Sequence, residues 1–176
     1  MSVTAPPRVW AAQTVVATPL GAVLLARTER GLGGAWFEAQ KHHPGPLPAS
    51  RRDDDPVLHR AARALQSYFQ GQPMDTAVAL DLHGTPFQQR VWQALREIPW
   101  GATTSYSAIA QALGQPQAVR AVGGAVGRNP VSLFVPCHRV VGRGGALTGY
   151  AGGLPRKRWL LEFESARAWP DGRHSP

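Results

Sequence analysis

Apolar residues come first in short runs and later at helical spacing. Between residues 8 and 38 the runs are Val15-Val16, Val23-Leu24-Leu25 and Ala35-Trp36-Phe37, separated by Pro19-Leu20-Gly21 and Arg30-Gly31. Runs this short, punctuated by turn formers, predict an antiparallel β-meander. After Asp55-Pro56 the rhythm changes: Leu58, Ala61, Ala62, Leu65 and Phe69 recur three or four residues apart. That spacing predicts an amphipathic helix with Asp55 as its cap, Pro56 at its first position and Gly71 at its end. Val78, Leu80 and Leu82 then alternate, which predicts a strand over 76–82. The segment 39–55, with His42-His43-Pro44-Gly45-Pro46 and Asp53-Asp54-Asp55, predicts an exposed, mobile loop. Its histidine pair lacks a third ligand at metal-binding spacing, so no metal site is expected there.

The second half is mostly helical in rhythm. Thr85-Pro86-Phe87-Gln88 fits a capping box, and Phe87, Val91, Trp92, Leu95 and Ile98 follow on one face until Pro99-Trp100-Gly101. Ser105 caps a short helix carrying Tyr106, Ile109, Ala110 and Leu113, ended by Gly114, and a further helix is predicted over Gln117–Gly127. Two such helices form a helix-turn-helix pattern, which many helical hairpins share. The second is odd in being nearly all small: Ala118, Ala121, Gly123, Gly124, Ala125 and Gly127. Each glycine disfavours a helix by roughly 1 kcal/mol relative to alanine, so three imply a positional need. Either a core helix or a nucleic-acid groove, with Arg120 reaching into it, would supply the close neighbour.

Val131 to Val135 is a short apolar run between prolines, which predicts a buried strand stopping at Pro136 and presenting Cys137 at its end. Gly142-Arg143-Gly144-Gly145 is a turn. Thr148 to Gly153 is a second glycine-rich segment, without the strand-to-helix setting of a phosphate loop. Pro155 opens a last helix with Trp159, Leu160 and Phe163 apolar, and residues 166–176 read as a polar tail. The expected fold class is α+β. A small N-terminal antiparallel sheet-plus-helix domain (1–84) precedes a mainly helical C-terminal domain with a helix-turn-helix (85–165).

Composition narrows the chemistry. Nineteen Lys+Arg against eleven Asp+Glu give a formal charge of +8, which suits nucleic acid or an anionic membrane, or else a merely solvated basic surface. No run is long enough to span a bilayer and the start lacks a basic-then-apolar leader, so a cytoplasmic location is expected. One cysteine excludes an intramolecular disulfide and a Cys-rich zinc site. Beside it, His138 titrates near neutrality and could lower the thiol pKa. Adjacent side chains do not normally face each other, so a bridging water or a tight turn would carry the proton. An inert buried cysteine is the competing reading.

Several stretches together resemble the O6-alkylguanine-DNA alkyltransferase family: Ile98-Pro99-Trp100-Gly101 with Thr104-Ser105-Tyr106, Arg120-Ala121-Val122-Gly123-Gly124, Asn129-Pro130, Pro136-Cys137-His138-Arg139-Val140 and Gly149-Tyr150-Ala151-Gly152-Gly153. The resemblance implies direct-reversal DNA repair, in which an alkyl group leaves O6-alkylguanine once, without turnover, for a cysteine; O4-alkylthymine is a second substrate to consider. It implies double-stranded DNA held through the minor groove with the damaged base flipped out, no cofactor, no metal and no membrane. The protein would be a monomer that clusters on DNA, associated with the nucleoid if prokaryotic. Cys137 would be the acceptor, His138 its base through a water, and Glu164 the carboxylate orienting that histidine. Read without the family, Glu164 is a charge on an exposed helix face. Tyr106 would meet ring N3 of the leaving guanine and the DNA, and Asn129 would tie the helix-turn-helix to the cysteine turn. Arg120 would fill the space vacated by the base, with Ala118, Ala121 and Gly123 against the groove. Val140, Tyr150, Ala151, Gly152 and Ser132 would form the base pocket. Ser132 stands where some members have proline and Ala151 where some have serine, which implies weaker reaction with bulky O6-benzyl adducts. A lesion marker without repair, a cysteine hydrolase and a helix-turn-helix regulator are the rival classes. The cysteine disfavours the first and its adjacent histidine the second.

Overall fold

In the computed structural model, which describes residues 8–167, the three early apolar runs are strands β1 (Ala12–Thr18), β2 (Gly21–Arg27) and β3 (Leu32–Phe37). They form an antiparallel meander in the order β1-β2-β3, with Val15 opposite Leu24 and Leu25 opposite Ala35. Helix α1 (Pro56–Phe69) packs on β1 and β2 through Leu58, Ala61 and Leu65, all fully buried. The Asp55 carboxylate accepts from the Val57 and Leu58 amides and closes its first turn.

Helix α2 (Pro86–Arg96) begins with the reciprocal Thr85–Gln88 capping box. Strands β4 (Thr104–Ser105) and β5 (Val140–Val141) form a two-residue parallel pair. Between them run α3 (Tyr106–Ala112), capped by Ser105, and α4 (Val119–Gly127); α5 (Leu154–Ala166) closes the fold. Val122, Ala125 and Val126 are the buried residues of α4, which packs between α2 and α3. The Trp92 indole N–H also donates to Ala125 O at 2.8 Å. The helix starts two residues later than the expected Gln117: Ala118 N donates to Gln115 O at 2.9 Å in a preceding turn, and Ala118, with ψ 25°, is the non-helical cap. One core runs through both halves of the chain, joined where Ala35 N donates to Pro130 O and Ser132 N donates to Ala35 O, both at 2.9 Å.

Two expectations need correction. Residues 76–82 are not a strand: Asp75 Oδ1 takes the Ala77 amide and starts a turn, and only Leu80 bridges to Leu32. Val131–Val135 is likewise no strand. Leu133 has φ 74°, Asn129 Oδ1 accepts from the Val131 amide, and Val135 N donates back to Val131 O at 3.0 Å, so the run folds into a buried turn. The 39–55 segment is tied at its far end, where Gln13 N donates to Ser50 O and Arg52 N donates to Gln13 O. Most of the tail expected over 166–176 lies outside the described residues. Among those described, no helix is long and apolar enough to cross a membrane.

Candidate active site

Pro136 sets the geometry around the cysteine. With φ −81° and ψ 64° it is the centre of an inverse γ-turn, in which Cys137 N donates to Val135 O at 2.8 Å. Cys137–Arg139 then form one 3-10 turn, so the thiol and the imidazole leave the backbone in different directions. Asn129, just beyond α4, clamps this turn. Its Nδ2 donates to Val135 O at 2.8 Å and to Cys137 Sγ at 3.1 Å.

Glu164 of α5 is 1 % exposed and collects five donors. Oε1 accepts from His138 Nε2 and Tyr68 Oη at 2.7 Å each and from Arg139 Nη2 at 2.9 Å; Oε2 accepts from Arg139 Nε at 2.8 Å and Gly101 N at 3.3 Å. Burial works against its charge, but the hydrogen bonds from His138 and Arg139 hold its pKa well below the usual carboxylate range. Arg139 Nη1 also donates to Ile98 O at 2.6 Å, and the Trp100 indole donates to Glu164 O at 3.1 Å. The Ile98-Pro99-Trp100-Gly101 segment is therefore the seat of the Glu164–Arg139 pair.

Because the ionised carboxylate accepts from Nε2, His138 keeps its lone pair on Nδ1, which is buried without a partner among the described residues. Burial lowers the imidazole pKa, with Glu164 opposing, and burial raises that of the Cys137 thiol, with the Asn129 amide and the Lys157 charge opposing. The resting pair is neutral thiol beside neutral imidazole. Lys157 is itself fully buried and donates from Nζ to Thr148 O at 2.7 Å.

Near the thiol opens a cavity of about 460 Å³. Gly123, Gly124 and Gly127 of α4 form one wall, Tyr106 and residues 148–151 another, and Lys41, His42 and Arg128 complete the lining. A Cβ added at Gly123 would stand 3.9 Å from the Tyr106 ring, and at Gly124 or Gly127 would meet nothing within 4 Å. The glycines of α4 are thus not there for close packing in the core; they keep this wall open. Helical spacing puts Arg120, which is exposed, on the same side one turn earlier. Tyr106 Oη donates to Thr148 O at 3.2 Å and Gly149 O at 3.4 Å. Burial raises the pKa of Tyr106 and Tyr150, and the sulfur is tied to this region through Asn129, which follows the lining residue Arg128 and donates to Cys137 Sγ. Cys137 itself is 3 % exposed and does not line the cavity.

Of the residues singled out in the sequence, Cys137, His138, Glu164 and Asn129 form the buried cluster, while Tyr106, Gly123, Tyr150 and Ala151 line the cavity. Arg120 and Ala121 lie exposed on α4, with Ala118 at its cap. Ser132 is not brought to the cavity: it is 2 % exposed, its amide donates to Ala35 O beside β3, and its hydroxyl donates to Gln40 Oε1 at 3.4 Å. Val140 is buried in β5 opposite Thr104. At Gly152 a Cβ would lie 2.5 Å from the Tyr150 ring, so its small size seats that phenol. The exposed helix face expected for Glu164 is corrected outright. Reasoning from the sequence missed Tyr68, Arg139 and Lys157. Helical spacing offered a signal for two of these, since Lys157, Leu160 and Glu164 share a face of α5 and Tyr68 lies three residues after Leu65 on α1.

The family model of the 6-O-methylguanine DNA methyltransferase DNA-binding domain matches residues 86–166, and that of the family's ribonuclease-like domain matches residues 12–82. The methylated-DNA–protein-cysteine methyltransferase of Mycobacterium tuberculosis is 56% identical over 135 residues, 77% of this chain and 78% of that protein. The protein of the same name from Methanosarcina barkeri is 43% identical over 150 residues, 85% of this chain and 94% of its own. In structure, the chain is similar to Mycobacterium tuberculosis OGT in complex with DNA. That match has a TM-score of 0.81 at 43% identity and covers 92% of this chain and 97% of the other.

Proposed function

Because the chain belongs to the 6-O-methylguanine DNA methyltransferase family, we propose that it repairs O6-alkylguanine in duplex DNA by moving the alkyl carbon onto Cys137. Enzyme class and repair by alkyl transfer follow from the family. The residue roles, the single turnover and the minor-groove approach are our reading, as is the division into a 1–84 unit and an 85–165 transfer unit. The two family models meeting between residues 82 and 86 support that division.

The observation that carries the reading is the Asn129–Cys137–His138–Glu164 cluster next to a cavity walled by the glycines of α4. Sulfur is soft and suited to displacement at an sp³ carbon. The Cys137 proton passes to His138 Nδ1 by way of a water, since the two side chains diverge along the 3-10 turn. Glu164 and Arg139 hold the imidazole in the tautomer that can accept it. As Sγ attacks, the Sγ–C bond forms, the C–O6 bond breaks, and the electron pair goes to the guanine ring. Tyr106 Oη, turning from the Thr148 and Gly149 carbonyls, gives the ring a proton at N3, and the phenolate regains one through water from the His138 imidazolium, so the thiol proton is the only one consumed. The Asn129 amide and the buried Lys157 cation favour the thiolate as it forms. The product is a thioether, which has no leaving group the site can activate, so the protein acts once.

The O6 carbon is out of reach in stacked DNA, and extruding a nucleotide requires a few kcal/mol. Arg120, exposed beside the glycine face of α4, fills the vacated space while α4 lies in the minor groove, where readout is degenerate and binding tolerates sequence. The test is a titration of duplex DNA carrying O6-methylguanine, with a parallel duplex carrying O4-methylthymine. Repair of the first should plateau at one alkyl group per chain. Repair continuing past that ratio would rule out a thioether end point.

A further inference from the structure

The base cavity is lined from both halves of the chain, and three of its lining side chains have no assigned role. Lys41 and His42 come from the turn after β3, Arg128 from the end of α4. All three are exposed, and among the described residues neither Lys41 nor Arg128 makes a side-chain hydrogen bond or an ion pair. The Lys41 and Arg128 charges are therefore held at the cavity without a partner among the described residues.

The turn that carries Lys41 is firmly positioned. Lys41 N donates to Ala151 O at 2.8 Å, fastening the N-terminal sheet to the segment that walls the cavity. Gln40, 6 % exposed, accepts the Phe37 amide on Oε1 at 2.8 Å and donates from Nε2 to Lys41 O at 3.2 Å. Ala39 and His42 have φ 57° and 62°, a backbone region that residues with a Cβ seldom adopt. Two of the three such residues described thus flank Lys41.

We propose that Lys41 and Arg128 bind the backbone phosphates on either side of the extruded nucleotide, which makes the N-terminal unit a direct participant in DNA binding. The inference rests on the reading of the cavity as the base pocket. A base drawn into the cavity brings its two phosphodiesters to the mouth, where each meets an unneutralised cation. Phosphate contacts position the strand without reading sequence, which suits repair at any site. Tethering through Ala151 couples the position of Lys41 to that of the pocket wall.

The test uses the full chain with Lys41→Gln, Arg128→Gln and the double substitution, and Lys41→Arg as the charge-conserving control. Affinity for duplex DNA carrying O6-methylguanine is measured from 50 to 200 mM salt, and the rate of methyl uptake from the free base O6-methylguanine is measured alongside. Each lost cation should flatten the log–log salt slope by about 0.9, so that the fall in affinity over that range shrinks about 3.5-fold per cation. Lys41→Arg should keep the wild-type slope, and the Gln variants should slow repair of duplex DNA more than uptake from the free base. Slopes equal to wild type would overturn the proposal, as would equal slowing with DNA and with the free base. If wild-type protein takes up no methyl at all, the transfer reading fails instead, and the salt slopes still decide the phosphate contacts.

Discussion

Replacing Glu164 with glutamine keeps the shape of the side chain and removes its charge. Every lone pair in use then matters: Oε1 accepts from Tyr68, His138 and Arg139, and Oε2 from Arg139 and the Gly101 amide. Whichever side takes the new NH2 group, it points at two or more donors, and Arg139, 8 % exposed, is left without a counter-charge. Removing one partner of a buried ion pair costs about 3–5 kcal/mol, out of a total stability of about 5–15 kcal/mol for a typical domain. Tyr68→Phe removes only one hydrogen bond to a charged acceptor, worth about 1.5–3 kcal/mol. Urea unfolding reads both as shifts in midpoint at constant m-value. Methyl transfer by the folded Glu164→Gln protein should also be slow, because His138 then faces either an amide NH2 or an uncharged oxygen in place of the carboxylate that fixes its tautomer. A Glu164→Gln loss no larger than that of Tyr68→Phe would refute the reasoning, since the carboxylate would then not be the centre of the network.

Acid should destabilise the protein in two stages. The pKa of His138 is depressed by burial, so as pH falls past about 6.5 the unfolded chain takes up a proton that the native one resists. Glu164 is depressed in the native state despite burial, so its contribution is fully present above about pH 4.3 and is lost as pH falls from there toward the native value. Urea midpoints between pH 4 and 8 check the first stage, and a Glu164→Gln variant should flatten the second. Gly124→Ala should stabilise the fold by up to about 1 kcal/mol in thermal or urea unfolding, its Cβ meeting nothing. Gly124→Leu should fold equally well yet lose repair of duplex DNA; undiminished repair would mean the base takes another route. Arg120→Ala should slow repair in duplex DNA far more than methyl uptake from the free base, and equal losses would remove its role in flipping.

The meander, the four helices with proline at the first position or a polar cap, and the order of elements were legible because each rests on local chemistry. Asp55, Thr85 and Ser105 cap where their side chains predict. The turn holding the cysteine was not legible. A five-residue apolar run between prolines looks the same whether it extends or reverses, and what reverses it is Asn129 acting on the Val131 amide and the Val135 carbonyl. Glu164 looked exposed because a carboxylate ordinarily is, and its burial depends on Tyr68, nearly a hundred positions away in the chain. Arg139 was visible only as part of a motif; its three arms reach Glu164 and Ile98, partners that only the tertiary fold supplies. The glycines of α4 were noticed for their number. Their purpose needed the open wall of the cavity to be seen.

The most direct check is to react the full chain with duplex DNA bearing O6-methylguanine and to locate the added carbon by peptide mass mapping. One methyl group on the sulfur of Cys137, with guanine restored in the duplex and Cys137→Ala inert, is the predicted result. A lesion that disappears while Cys137 stays unmodified, or a methyl group found on any other residue, would contradict it.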